Sequence, residues 1–234
     1  MKVLILAGGL GTRLSEETTD KPKPMVLIGD KPILWHIMRI FAIQGFDDFI
    51  IATGYKGKII EDWVSSLTEN WKVQTFDTGL ETQTGGRIKQ CMNLFPGQRL
   101  IVTYGDGVGN INITQLIKFH FENAALSTIT AVHPPARFGY LDIEANKVQR
   151  FGEKNQSIAG WINGGFFVIE PEVSRYIHDD FEPFETGALP RLVQEGQLVA
   201  YRHSGYWQPM DTLRERNDLT VLAKTVNPPW FGNL

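Results

Sequence analysis

Only one of the 234 residues is a cysteine, Cys91. It allows neither an intrachain disulfide nor a multi-cysteine zinc site, which fits a reducing cytoplasm. Cys91 sits in the helical pattern Arg87-Ile88-Lys89-Gln90-Cys91-Met92 with no activating base beside it, so a buried thiol is expected rather than a nucleophile. A broad positive field is also missing: 23 Lys and Arg against 26 Asp and Glu leave a formal charge of −3. That balance argues against a nucleic-acid-binding surface, so any anion must be caught locally by placed cations and backbone N–H groups. No apolar run approaches membrane length, and the stretch Met1–Ala7 is too short for a signal-peptide core. The five histidines are scattered, with neither metal-ligand spacing nor a triad. A soluble, cytoplasmic protein without a nucleic-acid or membrane partner is expected.

What is present is an alternation of short apolar runs with helical patterns, the mark of βαβ units around a largely parallel sheet. Strands are expected at Lys2–Ala7, Asp48–Thr53, Val73–Phe76, Leu100–Tyr104, Leu126–His133, Trp161–Ile169 and Leu198–Arg202. Helices are expected at Pro32–Gln44, Lys58–Leu67, Gly85–Leu94, Asn112–Asn123, Pro171–Ile177, Glu185–Gln194 and Thr212–Thr225. A hairpin of Gly139–Ile143 with Val148–Phe151 breaks the βαβ rhythm, so the sheet should be mixed. No repeat or linker is visible, and residues 1–234 read as one α/β domain. The aromatics of the tail Asn227-Pro228-Pro229-Trp230-Phe231 should dock on this chain or on a neighbouring subunit.

The first strand runs directly into Leu6-Ala7-Gly8-Gly9-Leu10-Gly11-Thr12-Arg13. Glycines there let the backbone turn tightly and bring N–H groups against a phosphate without side-chain obstruction. The spacing is neither Gly-x-Gly-x-x-Gly nor a P-loop, since no Gly-Lys-Ser/Thr closes it. Arg13 adds a fixed charge, and Lys21-Pro22-Lys23-Pro24 adds two ammonium groups that the prolines should project to one side of an extended segment. Taken alone, the loop is equally compatible with a glycine turn and solvated lysines. Asp106 ends a strand between two glycines, and Asp211 lies in a loop before the last helix. Hard carboxylates converging on one point would suit Mg2+, although an Asp within Gly-Asp-Gly is also a common turn residue.

In combination, Gly8-Gly9-Leu10-Gly11-Thr12-Arg13-Leu14 and Lys21-Pro22-Lys23-Pro24 resemble the signature of the sugar-phosphate nucleotidyltransferases. Arg13-Leu14-Ser15-Glu16-Glu17-Thr18, Lys31-Pro32-Ile33-Leu34-Trp35-His36-Ile37-Met38, Thr84-Gly85-Gly86-Arg87 and Tyr104-Gly105-Asp106-Gly107 resemble the glucose-1-phosphate cytidylyltransferases among them. So do Arg137-Phe138-Gly139, Ile162-Asn163-Gly164-Gly165-Phe166-Phe167 and Tyr206-Trp207-Gln208-Pro209-Met210-Asp211-Thr212-Leu213-Arg214. These blocks run in order over nearly the whole chain.

The resemblance implies a three-layer α/β/α Rossmann-like fold with a mixed, mainly parallel sheet, and a reaction of CTP with α-D-glucose 1-phosphate giving CDP-glucose and pyrophosphate. It implies that Leu6, Ala7, Gly8, Gly9, Leu10, Gly11, Thr12, Arg13, Thr82, Gly85, Arg87 and Gly105 hold the nucleotide. Arg13 would act on the leaving pyrophosphate, and Lys23 would contact the α-phosphate. Lys23, Glu153, Lys154, Asn163 and Gly164 would hold the sugar phosphate, and Asp106 and Asp211 a Mg2+ ion. Asn163 could equally serve a structural hydrogen bond. The chemistry suits this composition: a phosphate monoester, with a second pKa of about 6, needs no strong base to be a nucleophile at neutral pH. Catalysis then rests on positioning and charge neutralisation.

Two departures from the family pattern stand out. Asn155 replaces the proline expected after Glu153-Lys154, and Leu67–Gly79 is shorter than the segment that helps the family's subunits assemble into the homo-oligomer expected here. Choice of base requires an acceptor facing the cytosine amino group, such as a backbone carbonyl of the Leu6–Gly9 loop or one near Gly85. Another triphosphate (UTP, dTTP or GTP), another sugar 1-phosphate, or a silent nucleotide-sugar-binding regulator are the alternatives.

Overall fold

The computed structural model describes residues 1–135, 140–144, 147–152 and 160–232, with the backbone alone at Arg13, 140–144, 148 and 150–152. The chain opens with β1 (Lys2–Leu6), the single-turn α1 (Ser15–Thr18), the short β2 (Leu27–Ile28) and β3 (Lys31–Pro32), and α2 (Ile33–Ala42). It continues through β4 (Asp48–Thr53), α3 (Gly57–Ser65), β5 (Lys72–Asp77), α4 (Thr84–Leu94), β6 (Leu100–Tyr104), β7 (Gly107–Gly109) and α5 (Ile113–Asn123). Then come β8 (Ser127–Val132), β9 (Tyr140–Glu144), β10 (Lys147–Gly152), β11 (Ile162–Asn163) and β12 (Phe167–Ile169). The last elements are α6 (Ala188–Gln194), β13 (Leu198–His203), β14 (Trp207–Pro209) and α7 (Leu213–Ala223).

Eight strands form the central sheet. β1 pairs in parallel with β4 and β6, β4 with β5, and β8 with β13. β11 and β12 run antiparallel along the other edge of β8, and β12 also pairs with β6, so the sheet is mixed but mainly parallel. Apolar side chains alternate to the two faces, as the period of two in a strand dictates. One face packs Val3, Ile5, Phe49, Ile51 and Val168 against α2, α3, α5 and α7. The other packs Leu4, Ile50, Leu100, Val102 and Phe167 against α4 and α6. The result is the expected three layers, with the C-terminal ends of β1, β4, β6, β8 and β13 all at one rim.

Three expectations from the sequence are corrected. Trp161–Ile169 is not one strand: Gly165 (φ +75°) and Phe166 (φ +48°) take left-handed backbone and split it into β11 and β12. Pro171–Tyr176 is a 3-10 helix rather than an α-helix. The Pro22–Pro24 segment is not extended throughout, because Lys23–Met25 forms a 3-10 turn. That turn separates the two lysines, with Lys21 reaching Glu17 at 3.9 Å while Lys23 is buried.

The tail docks on its own chain. Trp230 is fully buried, edge-on to His36 at 5.5 Å, and Phe231 stacks on the same imidazole at 5.9 Å. His36 Nε2 bonds the Ile28 carbonyl at 3.0 Å, while Nδ1 has no partner among the described residues. Burial holds this imidazole well below its ordinary 6.5, at about 4, against a smaller upward pull from the Ile28 bond and Asp30. A depressed histidine contributes stability above its unfolded value that is lost as pH falls towards the folded one. We therefore expect unfolding free energy to fall by up to about 3 kcal/mol between pH 6.5 and 4 on this account. His36→Gln, which keeps a donor for Ile28, should flatten that part of the profile in urea melts; an unchanged slope would assign it to other groups.

Candidate active site

The site is built on the ends of β1 and β6. β1 delivers Leu6 and Ala7, and the Ala7 N–H donates to the Ala52 carbonyl at 2.9 Å, which keeps the chain aligned with β4 past its last strand residue. The glycine loop then turns over Lys23. Gly11 adopts φ +65°, and a Cβ there would lie 3.0 Å from Lys23 Cβ and 3.1 Å from Thr18 Cγ2. Only glycine tolerates both the dihedral and the contact. Thr12–Leu14 closes the loop as a 3-10 turn, held by the Leu14 N–H donating to the Gly11 carbonyl at 3.0 Å. Arg13 contributes its backbone to that turn; its side chain, together with Glu153 and Lys154, lies outside the described residues.

A cleft lined by Leu6, Ala7, Gly9, Gly11, Lys23, Pro24, Gly105 and Asp106 opens beneath the loop. Gly105 must be glycine, because a Cβ would meet the Leu6 carbonyl at 2.8 Å and Pro24 Cγ at 3.0 Å. Leu10 and Thr12 stand outside this cleft and line a neighbouring one with Ser15, Thr18, Thr19 and Tyr55.

Lys23 Nζ lies 2.6 Å from Asp106 Oδ2 and 2.7 Å from Asp211 Oδ1. Two aspartates remote in sequence thus meet on one ammonium. The ladder of β7 with β14 brings them there, pairing Gly107 with Pro209 and Val108 with Gln208. The Met210 N–H then donates to the Asp106 carbonyl at 2.8 Å. Asp211 is fixed from its other side by the α7 capping box. Glu215 accepts from the Asp211 and Thr212 N–H groups at 2.8 and 3.0 Å, while Thr212 Oγ1 accepts from the Glu215 N–H. Burial alone would lower the Lys23 pKa, but Asp106 and then Asp211 outweigh it and raise it above the ordinary value. Lys23 is therefore a charged lysine at neutral pH.

Arg87 braces the loop from below, and Gly85 packs against the segment around Glu182 and Phe184. The Arg87 guanidinium is buried and donates to the carbonyls of Gly8 (3.0 Å), Thr53 (2.9 Å) and Gly79 (2.9 Å), and to Thr78 Oγ1. A Cβ on Gly8 would overlap this guanidinium at 2.2 Å. Arg87 thus holds the backbone of the loop that is expected to carry the nucleotide. Gly85 donates its N–H to the Glu182 carbonyl at 3.1 Å, and a Cβ there would approach that oxygen to 2.5 Å. Thr82 bonds the Thr78 carbonyl above the Gly79 turn.

Asn163 and Gly164 lie on the other side of β6. Asn163 Nδ2 donates to the Tyr104 hydroxyl at 2.9 Å, and Asn163 Oδ1 accepts from the Gly165 N–H at 2.8 Å. Tyr104 donates in turn to Glu185 at 2.6 Å, which also accepts from Thr84 Oγ1 at 2.6 Å. Burial first, then Glu185, push the Tyr104 phenol up, so it remains a neutral donor. The Gly164 carbonyl accepts from Trp207 Nε1 at 2.9 Å, linking this strand to the ladder that carries Asp211. Glu185 escaped the reading of the sequence, in which it carries no spacing signal, while Tyr104 and Trp207 stand within blocks of the family resemblance without an assigned role.

Cys91 is buried and its thiol pushed up to about 12 by burial, which leaves it inert. Among the described residues no group of three or more His, Cys, Asp and Glu converges as a metal site, and no helix is long and apolar enough to cross a membrane. The paired Asp106 and Asp211 nonetheless fit Mg2+. This ion is usually bound by one or two carboxylates together with substrate phosphates and water, and these two already converge on a cation.

Residues 2–213 match the family model described as nucleotidyl transferase. The chain is 44% identical over 253 residues to glucose-1-phosphate cytidylyltransferase of Salmonella typhi, covering 98% of both chains. It is 41% identical to a probable glucose-1-phosphate cytidylyltransferase of Bacillus subtilis, covering 98% of this chain and 99% of that one. Among solved structures, HddC from Yersinia pseudotuberculosis complexed with GMP-PN superposes with a TM-score of 0.73 at 26% identity, covering 95% of this chain and 99% of that one.

Proposed function

Because the chain belongs to the nucleotidyl transferase family, we propose that it transfers a cytidylyl group from CTP to α-D-glucose 1-phosphate, giving CDP-glucose and pyrophosphate. The observation that carries the mechanism is Lys23, clamped between Asp106 and Asp211 under a glycine loop. The base and triphosphate lie along Leu6–Arg13, whose unobstructed backbone approaches the phosphates. A sugar-phosphate oxygen attacks the α-phosphorus in line, forming one P–O bond as the bond to pyrophosphate breaks. Lys23 neutralises charge on the α-phosphate, and Arg13 that on the departing pyrophosphate. Asp106 and Asp211 would hold a Mg2+ ion, which would supply further neutralisation of the phosphate oxygens. Asn163 retains one N–H and one lone pair for a sugar hydroxyl beyond its structural bonds, and Lys154 takes the sugar's phosphate.

Selection of cytosine requires an acceptor opposite its amino group. The Gly8 carbonyl does not provide it, since both its lone pairs are occupied by the Tyr55 N–H at 3.1 Å and Arg87 at 3.0 Å. The carbonyls of the other loop residues, Leu6, Ala7 and Gly9, are the candidates.

Pyrophosphate release with Mg2+ and α-D-glucose 1-phosphate, compared among CTP, UTP, dTTP, GTP and ATP, tests the reading. Release with CTP alone is expected. Release with another triphosphate would overturn the choice of base, and silence with all five, repeated over a panel of sugar 1-phosphates, would overturn the activity.

A further inference from the structure

The reaction brings together two polyanions, and two cations at the cleft already have protein partners. Lys23 is paired with two carboxylates, and Arg87 gives its donors to the protein. One cation at the same rim differs. Strand register places Asn163 opposite Ala131 and Ala131 beside Arg202, so all three share one face of the sheet. Trp161, two residues before Asn163, lies tilted by 33° against His133 at 4.0 Å between ring centroids, and the Arg202 guanidinium lies 5.8 Å from the Trp161 ring centre. The Arg202 guanidinium has no hydrogen-bond or ion-pair partner among the described residues, and Trp161 remains 42% exposed. This is the face that also carries Tyr104 with its bond from Asn163.

We propose that Trp161 and Arg202 form the outer wall of the sugar-phosphate subsite. The indole is a flat platform for the sugar ring, and the guanidinium, held by the ring beneath it, donates to the oxygens of the sugar phosphate. The inference rests on the proposed function, in which Asn163 marks the sugar end of the cleft. Physically, the pair combines the two elements of such sites, an apolar surface and a few converging donors. Stacking also orders the arginine without a carboxylate that would compete with the ligand's own charge.

Arg202→Gln and Trp161→Ala should each raise KM for the sugar 1-phosphate by about tenfold and leave KM for CTP within about twofold. By calorimetry, they should weaken CDP-glucose but not CMP, because CMP lacks both the sugar and the phosphate that the sugar brings. Trp161→Phe should recover most of the loss, which distinguishes a platform from a general packing role. Unchanged sugar-phosphate KM in both variants would overturn the wall while leaving the proposed function standing. Equal weakening of CMP and CDP-glucose would also overturn it. Failure of the reading beneath it would look different: the unaltered protein would release no pyrophosphate from CTP and glucose 1-phosphate.

Discussion

Lys23→Met should lower kcat for pyrophosphate release by about 10^2- to 10^3-fold, the usual scale for removing a preorganised positive group from a phosphoryl or acyl transition state. Methionine fills similar volume, so the close approach of Gly11 to the aliphatic stem is kept. The charge is what disappears, and it disappears from between two carboxylates. Asp106 and Asp211 then repel each other across a partly buried gap. The metal-free variant should melt below the unaltered protein, with Mg2+ restoring more stability to the variant than to the original. Steady-state kinetics and thermal melts in EDTA and in Mg2+ measure both effects. Full turnover in the variant would remove Lys23 from the mechanism. The Lys23 pKa is raised above an ordinary value of 10.5. Its contribution to stability is therefore complete below 10.5 and declines only as pH rises through the higher folded value. No turnover step near neutrality should titrate with Lys23.

Asp211→Asn carries the second large effect. Asparagine preserves the size and the backbone bonds that Glu215 and Met210 make around position 211, while one of the two negative charges facing Lys23 is lost. Turnover should fall by about 10^2- to 10^3-fold, and half-saturation by Mg2+ should rise at least about tenfold. Asp106→Asn should behave alike. The double variant should be little worse than either single one, because residues acting as a unit are far from additive. If Mg2+ half-saturation did not move in either variant, the metal would have to be held elsewhere. If the effects of the two substitutions multiplied, the aspartates would act separately rather than as a pair.

Much of this site is local in origin and was visible without coordinates. A buried strand followed by Gly8-Gly9-Leu10-Gly11 prescribes a tight, unobstructed backbone turn. Period-two and period-3.6 patterns place β1, β4 and β6 against helices. These features depend on residues within a few positions of one another. The break at Gly164-Gly165-Phe166 was hidden, because nothing local reveals that Gly164 must lie against Val132, where a Cβ would come within 2.6 Å of that side chain. The bend at Lys23 was likewise masked by prolines compatible with either an extended or a turned backbone.

Composition, periodicity and the glycine loop determined a mixed α/β protein with an anion-binding turn after its first strand. The tertiary structure decided that Asp106 and Asp211 share one ammonium, that Arg87 braces Gly8 from beneath, and that Arg202 and Asn163 flank Ala131 on one face. Each of these depends on strand pairing between distant segments: β7 with β14, and β8 with both β11 and β13. Sequence spacing carries no record of such pairings, because they are selected by burial of the two sheet faces taken as a whole.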